Sequence, residues 1–400
     1  MNICITPSAL KGNIDAISSK SFAHRILICA AFSDAPTEIF VNTLSEDIIA
    51  TADCINAMGA GVSYNEEEKI LTVTPVEKSS DTVKMCANES GSTARFLLPV
   101  AAAVFENVTL EGKGRLVERP FLPLVREMRK NGTECDRDLL PIKTSGLLKS
   151  GEYFLEGNIS SQYLSGLLMA LPLVSDGKES TITLTSPLES KKYIDITLEV
   201  MKNFGVEVAV KDNKYIIKAG KYTSPKKIYT EGDWSNGAFW IVANATGSDI
   251  SLSGLNNESV QGDRKITELL EATEIDATDI PDLVPILSVL ALKRKGRTRI
   301  YNAERLKLKE SNRLETVCKA LSALGGDISE NGSEIIINGT GTLTGGTTPG
   351  FADHRIIMSA AIASTFAENK CIIEGAESVR KSYPGFFEDF NRLGGIADVL

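Results

Sequence analysis

The sequence predicts an α/β protein made of two similar halves, each holding three α/β units. Its length and an internal repeat carry this expectation. Four hundred residues exceed what one ordinary hydrophobic core serves, so two domains are expected. Six amphipathic helical segments each run into a short turn and then an extended strand. They are 52–58 before Gly59, 124–130 before Gly132, 198–203 before Gly205, 266–272 before Thr273-Glu274, 317–323 before Gly325 and 386–392 before Gly394. Successive turns lie 73, 73, 69, 51 and 69 residues apart (59 to 132 to 205 to 274 to 325 to 394).

Each segment buries one apolar stripe, and glycine ends it by taking the left-handed conformation at low cost. Helix–Gly–strand is common in α/β proteins, but six occurrences at similar spacing favour a repeat. The polar, Pro-containing stretch Ser224-Pro225-Lys226-Lys227 marks a junction, with three units on either side. The strand at 2–6 is assigned to the second half, which gives two chain crossings and a hinge. The expected domains are 19–228 and 1–18 plus 229–400.

Composition narrows the function. With 42% hydrophobic and 24% charged residues the chain reads as a soluble globular protein. It has no apolar stretch long enough for a bilayer and no clean signal-peptide core, so the expectation is cytoplasmic. Cys4, Cys29, Cys54, Cys86, Cys135, Cys318 and Cys371 are odd in number and show no CxxC, which reads as thiols in a reducing cell. Two histidines, His24 and His354, make a His-rich metal site an unlikely design. A net charge of −9 argues against a nucleic-acid partner. Such a chain binds anions only where Lys and Arg are focused in one place.

Several segments offer that focus. Ser18-Ser19-Lys20-Ser21-Phe22-Ala23-His24-Arg25 precedes an apolar helical run, with Ser19 or Ser21 as cap. Helix N-termini attract anions, though a plain cap with two solvated cations would read the same. Glu89-Ser90-Gly91-Ser92-Thr93-Ala94-Arg95 opens a second buried helix, with Gly91 allowing close approach to the backbone. In Glu118-Arg119-Pro120 the proline can start a helix, leaving Arg119 just before it. Ser160-Ser161-Gln162 suits a phosphate or merely a cap, and Ser190-Lys191-Lys192-Tyr193 precedes another helix beginning near Ile194. In Lys309-Glu310-Ser311-Asn312-Arg313 the spacings i, i+4 and i, i+3 place two cations around a carboxylate on one helical face, as a salt-bridged surface would also do. Asp353-His354-Arg355 and Arg380-Lys381-Ser382-Tyr383-Pro384 complete the series. Jointly they describe helix N-termini dressed with Lys, Arg, Ser and Gly in both halves, which a doubly anionic cleft explains better than independent caps.

The ordered set SKSxxxR at 19–25, SGxTxR at 90–95, ERP at 118–120, SSQ at 160–162, SKKYIDIT at 190–197, EGD at 231–233, IPD at 280–282, KESxR at 309–313, DHR at 353–355 and KSYP at 381–384 resembles the 5-enolpyruvylshikimate-3-phosphate synthases over nearly the full length. The resemblance implies two domains of three βαβαββ units each, an inside-out α/β barrel joined by a two-stranded hinge that closes over substrate. It implies a monomer without cofactor or metal, acting on phosphoenolpyruvate and shikimate 3-phosphate. Lys20, Gly91, Arg119, Gln162 and Lys381 would hold the phosphoenolpyruvate phosphate, and Arg313 and Arg355 its carboxylate. Ser21 and Arg25 would hold the shikimate carboxylate, and Ser160, Ser161 and Ser190 its 3-phosphate, with Tyr193 against the ring and Lys20 and Gln162 also contacting this substrate. Asp282 and Lys309 would contact ring hydroxyls, one of them as base, while Glu310 would exchange the methylene proton and Lys20 assist phosphate departure.

Ile17-Ser18 stand where the family usually has Pro-Gly, and Glu89 and Arg305 where many bacterial members have Asn. The sister transferase acting on UDP-N-acetylglucosamine carries a cysteine shortly before the Arg-Pro, and 111–120 has none. RNA-terminal-phosphate cyclases use a histidine nucleophile, for which His354 sits in the wrong motif. A non-catalytic clamp would share the repeat, but around nucleic acid it should show a basic stripe.

Overall fold

The computed structural model describes residues 1–400. They divide into two compact units, Lys20–Thr230 and Met1–Ser19 with Glu231–Leu400. The first unit contains helices α1 (Lys20–Ala31), α2 (Glu46–Ala57), α3 (Gly91–Val104), α4 (Leu122–Lys130), α5 (Ser161–Ala170) and α6 (Lys191–Asn203). The second contains α7 (Trp234–Ala245), α8 (Val284–Lys293), α9 (Arg313–Ala323), α10 (His354–Ser364) and α11 (Phe386–Arg392).

Each unit holds three sheets, and five of the six share one pattern. A parallel pair is extended by two antiparallel strands. In Lys20–Thr230 the strands run Thr82–Cys86, Asn107–Glu111, Ile142–Ser145, Glu134–Cys135, and likewise Glu152–Leu155, Ser180–Leu184, Lys214–Ile217, Ala209–Lys211. The third sheet of that unit takes its outer parallel strand, Lys227–Tyr229, from far along the chain to pair with Thr37–Phe40. In the second unit Glu274–Asp276, Gly296–Tyr301, Glu334–Gly339 and Ile328–Asn331 repeat the order. There too, Ile3–Thr6 lies between Cys371–Glu374 and Ile396–Val399, supplying the strand that the C-terminal repeat lacks. The sixth sheet is reduced to Lys11–Asp15 beside Asp249–Ser253.

The fold is therefore mixed α/β with two similar domains, and each sheet is open. The strand pattern of each sheet ends on an edge strand, such as Gly61–Asn65, and no sheet closes on itself. The repeat divides its helices by sequence. Helices following the first strand, such as α3, α5, α8 and α10, are apolar nearly all round and buried on every face. Helices following the second, such as α4 and α6, carry one apolar stripe and keep a wet face. The five turn glycines Gly59, Gly132, Gly205, Gly325 and Gly394 all have φ between +79° and +100°. At the sixth turn the glycine is missing, and the expected helix at 266–272 is instead a 3-10 helix, Gly262–Glu268.

Within the second unit the two crossing segments are tied together. Ser19 N donates to Glu231 O (2.7 Å) and Asp233 N to Ile17 O (2.8 Å). No helix is long and apolar enough to cross a membrane.

Candidate active site

In Lys20–Thr230 several hydrogen-bonded groups join the N-terminal halves of five helices. The α1 turn begins at Lys20, whose Nζ lies 2.7 Å from Asp47 Oδ2 in the first turn of α2. One turn on, His24 Nδ1 meets Thr51 Oγ1 at 2.7 Å, and Thr51 meets Thr93 Oγ1 of α3 at 2.7 Å. Thr93 in turn donates to Ser90 Oγ (2.8 Å), whose side chain caps α3. Burial first, then Lys20 and Arg25, hold His24 well below the usual histidine range, so it is neutral.

From α3 the contacts pass to α5. Arg95 Nη1 donates to Gln162 Oε1 (2.6 Å), and Gln162 Nε2 donates to Ser92 Oγ (3.0 Å). Ser160 caps α5 by accepting from Gln162 N, and Ser161 is the helix's first residue. Arg25 reaches α5 and α6 together. Its Nε donates to Thr197 Oγ1 (2.7 Å) and its Nη2 to Ser165 Oγ (3.3 Å) and Tyr193 O (3.1 Å), while Nη1 turns to Ser21 O (2.6 Å). Burial pulls Arg25 down to about 9, which still leaves it charged at neutral pH. Ser190, preceding α6, holds a left-handed φ of 55°, an uncommon conformation for serine.

Gly91 and Arg119 meet directly. A Cβ on Gly91 would lie 2.7 Å from Arg119 Nη1 and 3.2 Å from Cζ. Arg119 ends a 3-10 helix, Gly114–Glu118, and the next helix starts at Leu122. The expectation that Pro120 starts it is corrected by two residues, with Pro123 in the first turn instead.

The second unit holds a denser cluster around Arg313, whose side chain is 1% exposed. Its Nε donates to Asp353 Oδ2 (2.8 Å), Nη1 to Asp282 Oδ1 (2.7 Å) and Nη2 to Glu310 Oε2 (2.6 Å). Asp282 Oδ1 also lies 3.3 Å from Lys309 Nζ and 3.6 Å from Arg355 Nε. Asp353 caps α10 by accepting from Arg355 N (3.0 Å). Lys381 Nζ donates to Ala352 O (3.0 Å), and both Phe351 and Ala352 are left-handed, with φ of 54° and 52°.

Burial would lower Arg313, but Asp353, Glu310 and Asp282 outweigh it and hold the guanidinium above its usual range. For Asp353 burial pushes upward, yet Arg313 prevails and the carboxyl stays below its usual range. Burial pulls Lys309 down, against the opposing attraction of Asp282. A lysine so depressed is a stronger candidate for proton transfer.

The helical-face expectation for 309–313 is corrected. Lys309 follows the 3-10 helix Glu304–Leu308 in an extended conformation, and α9 begins only at Arg313. A bend, stabilised by carboxylates from distant segments, brings Glu310 to Arg313. Sequence reasoning missed Asp47 and Asp353 as partners of Lys20 and Arg313; a buried cation's need for a counter-charge was the available signal.

The EPSP synthase (3-phosphoshikimate 1-carboxyvinyltransferase) family profile matches residues 5–278 and 265–390. A 3-phosphoshikimate 1-carboxyvinyltransferase from Clostridium perfringens (strain 13 / Type A) is 40% identical over 98% of both chains. One of that name from Clostridium kluyveri is 38% identical over 99% of this chain and 98% of its own. A solved EPSP synthase from Acinetobacter baumannii shares the fold over the full length of both chains, with a TM-score of 0.82 at 23% identity. With the two clusters of cations, carboxylates and helix N-termini, these likenesses establish that the chain is a transferase belonging to the EPSP synthase family.

Proposed function

We propose that the protein transfers the carboxyvinyl group of phosphoenolpyruvate to the 5-hydroxyl of shikimate 3-phosphate, releasing phosphate. The observation that carries this reading is the cluster of Asp282, Lys309, Glu310, Arg313 and Arg355, which sets acid–base groups beside two guanidiniums. Ser21 and Arg25 bind the shikimate carboxylate, Ser160, Ser161 and Ser190 its 3-phosphate, and Tyr193 its ring. Lys20, Gly91, Arg119, Gln162 and Lys381 bind the phosphate of phosphoenolpyruvate. Arg355 and Arg313 take its carboxylate, for which a planar fork is suited.

In the addition step the 5-hydroxyl oxygen bonds to C2 of phosphoenolpyruvate and gives its proton to Asp282 or Lys309. Glu310 takes up a proton as substrate arrives and gives it to the methylene carbon. In the elimination step Glu310 takes back a proton from the new methyl group, the C2–O bond to phosphate breaks, and Lys20 steadies the departing charge. Phosphate release from phosphoenolpyruvate is expected with shikimate 3-phosphate and not with UDP-N-acetylglucosamine. Folded protein that releases phosphate with neither overturns the reading.

Gly91→Ala tests the anion site. The clash falls on the mobile end of Arg119, so the fold tolerates it while the guanidinium is displaced. KM for phosphoenolpyruvate should rise about tenfold, as loss of roughly 1.4 kcal/mol of binding gives, with the melting temperature nearly unchanged. Steady-state kinetics beside a thermal melt check both.

A further inference from the structure

Arg95 stands one turn into α3 and is 5% exposed. Its guanidinium lies between two aromatic rings, with Cζ 5.5 Å from the centroid of Phe121 and 5.4 Å from that of Tyr163. Such faces attract a cation. The Tyr163 hydroxyl donates to Pro120 O, which ties this cradle to the segment that follows Arg119. The backbone of Arg95 is fixed as well, because Gly166 of α5 packs so closely on the Arg95 carbonyl that a Cβ there would strike it. Arg95 Nε is buried without an acceptor, and Nη1 donates to Gln162 Oε1 at 2.6 Å. An arginine kept for packing alone would be a costly choice, since a buried N–H without an acceptor destabilises.

The bond to Gln162 decides which way its carboxamide faces. A carboxamide can turn end over end at its last torsion with little change of shape. Its other side-chain partner, Ser92 Oγ at 3.0 Å, is a hydroxyl that can donate or accept, so it is satisfied by either orientation. A guanidinium can only donate, so only the amide oxygen can face Arg95. The NH2 group is thereby turned to Ser92, and its second hydrogen is left on the half-exposed side of the residue.

We propose that Arg95 is a positioning residue that fixes the sense of the Gln162 carboxamide, so that its NH2 group and not its carbonyl meets the phosphate of phosphoenolpyruvate. This rests on the reading of Gln162 as a ligand of that phosphate. With the amide reversed, a carbonyl lone pair would face the anion and a hydrogen bond would become a repulsion. Arg95 acts through Gln162 and needs no contact of its own with the substrate.

The test is a double-mutant cycle on KM for phosphoenolpyruvate, read separately from kcat, in the wild type, Arg95→Met, Gln162→Ala and the double variant. Methionine fills the space between the rings without donating. Each single change should raise KM about tenfold, as loss of one hydrogen bond to a charged group gives, with kcat changing less. The double variant should be no worse than Gln162→Ala, because an orientation has no value once the amide is gone. Effects that multiply to about a hundredfold, the signature of a structural or independent contribution, overturn the inference. Should Arg95→Met fail to fold, Gln162→Glu decides. One oxygen of its carboxylate pairs with Arg95 and the other faces the phosphate, so its KM should exceed that of Gln162→Ala; a KM no higher overturns the inference equally. An unchanged KM in Gln162→Ala would instead defeat the reading of Gln162 as a phosphate ligand, and the inference with it. Absence of turnover in the wild type would defeat the functional reading as a whole.

Discussion

Glu310→Gln should lower kcat by about 10²- to 10⁴-fold, the range a positioned proton-transfer group supplies, with KM for both substrates changing little. The amide keeps the size of the carboxylate, and its oxygen can still accept from Arg313 Nη2, which Glu310 now does at 2.6 Å. What it loses is the capacity to carry a proton to and from a carbon atom. Glu310 is also a quarter exposed, so the change leaves no large buried void. Steady-state kinetics decide the matter. Turnover near the wild-type rate removes Glu310 from the chemistry, and a rise in KM with kcat intact would make it a binding group.

Asp353→Ala should destabilise the unit that contains it by about 3–5 kcal/mol, since removing one partner of a buried ion pair leaves the other uncompensated. Arg313 donates two hydrogen bonds to that carboxylate, at 2.8 and 3.2 Å, and Ser311 donates a third at 2.9 Å. The N-cap of α10 goes with it, about 1 kcal/mol of the loss. Asp353→Asn keeps the cap and isolates the charge. Arg313 holds the folded-state pKa of Asp353 below its unfolded value, so this stabilisation is present above the unfolded pKa and is lost as pH falls through the folded one. Urea melts should therefore show the gap between wild type and Asp353→Asn narrowing below about pH 4. A gap that widens in acid would contradict the assignment.

Local backbone demands were legible in the sequence. Gly59, Gly132, Gly205, Gly325 and Gly394 sit where the chain turns with positive φ, a requirement of one residue on its own backbone. Ser90 and Ser160 cap their helices for equally local reasons. The helical face drawn through 309–313 was not there, because spacing alone cannot distinguish a helical turn from a bend. Asp282 and Asp353, 31 and 40 positions from Arg313, supply the bend's other partners. For the same reason Lys20 was legible as a cation at a helix start, but its pairing with Asp47 was not. The motifs marked candidate residues; folding decided whom each one touches.

The strand Ile3–Thr6 leaves the ribosome long before its hydrogen-bonding neighbours, Cys371–Glu374 and Ile396–Val399. It must wait, unpaired, through synthesis of the whole Lys20–Thr230 unit, whose own sheets are complete once Tyr229 has emerged. The Lys20–Thr230 unit therefore has all its strands available earlier in synthesis than the unit that frames it. Until its partner strands emerge, an apolar segment, with Ile3 and Ile5 destined for full burial, stays open to chaperones and to edge-to-edge association.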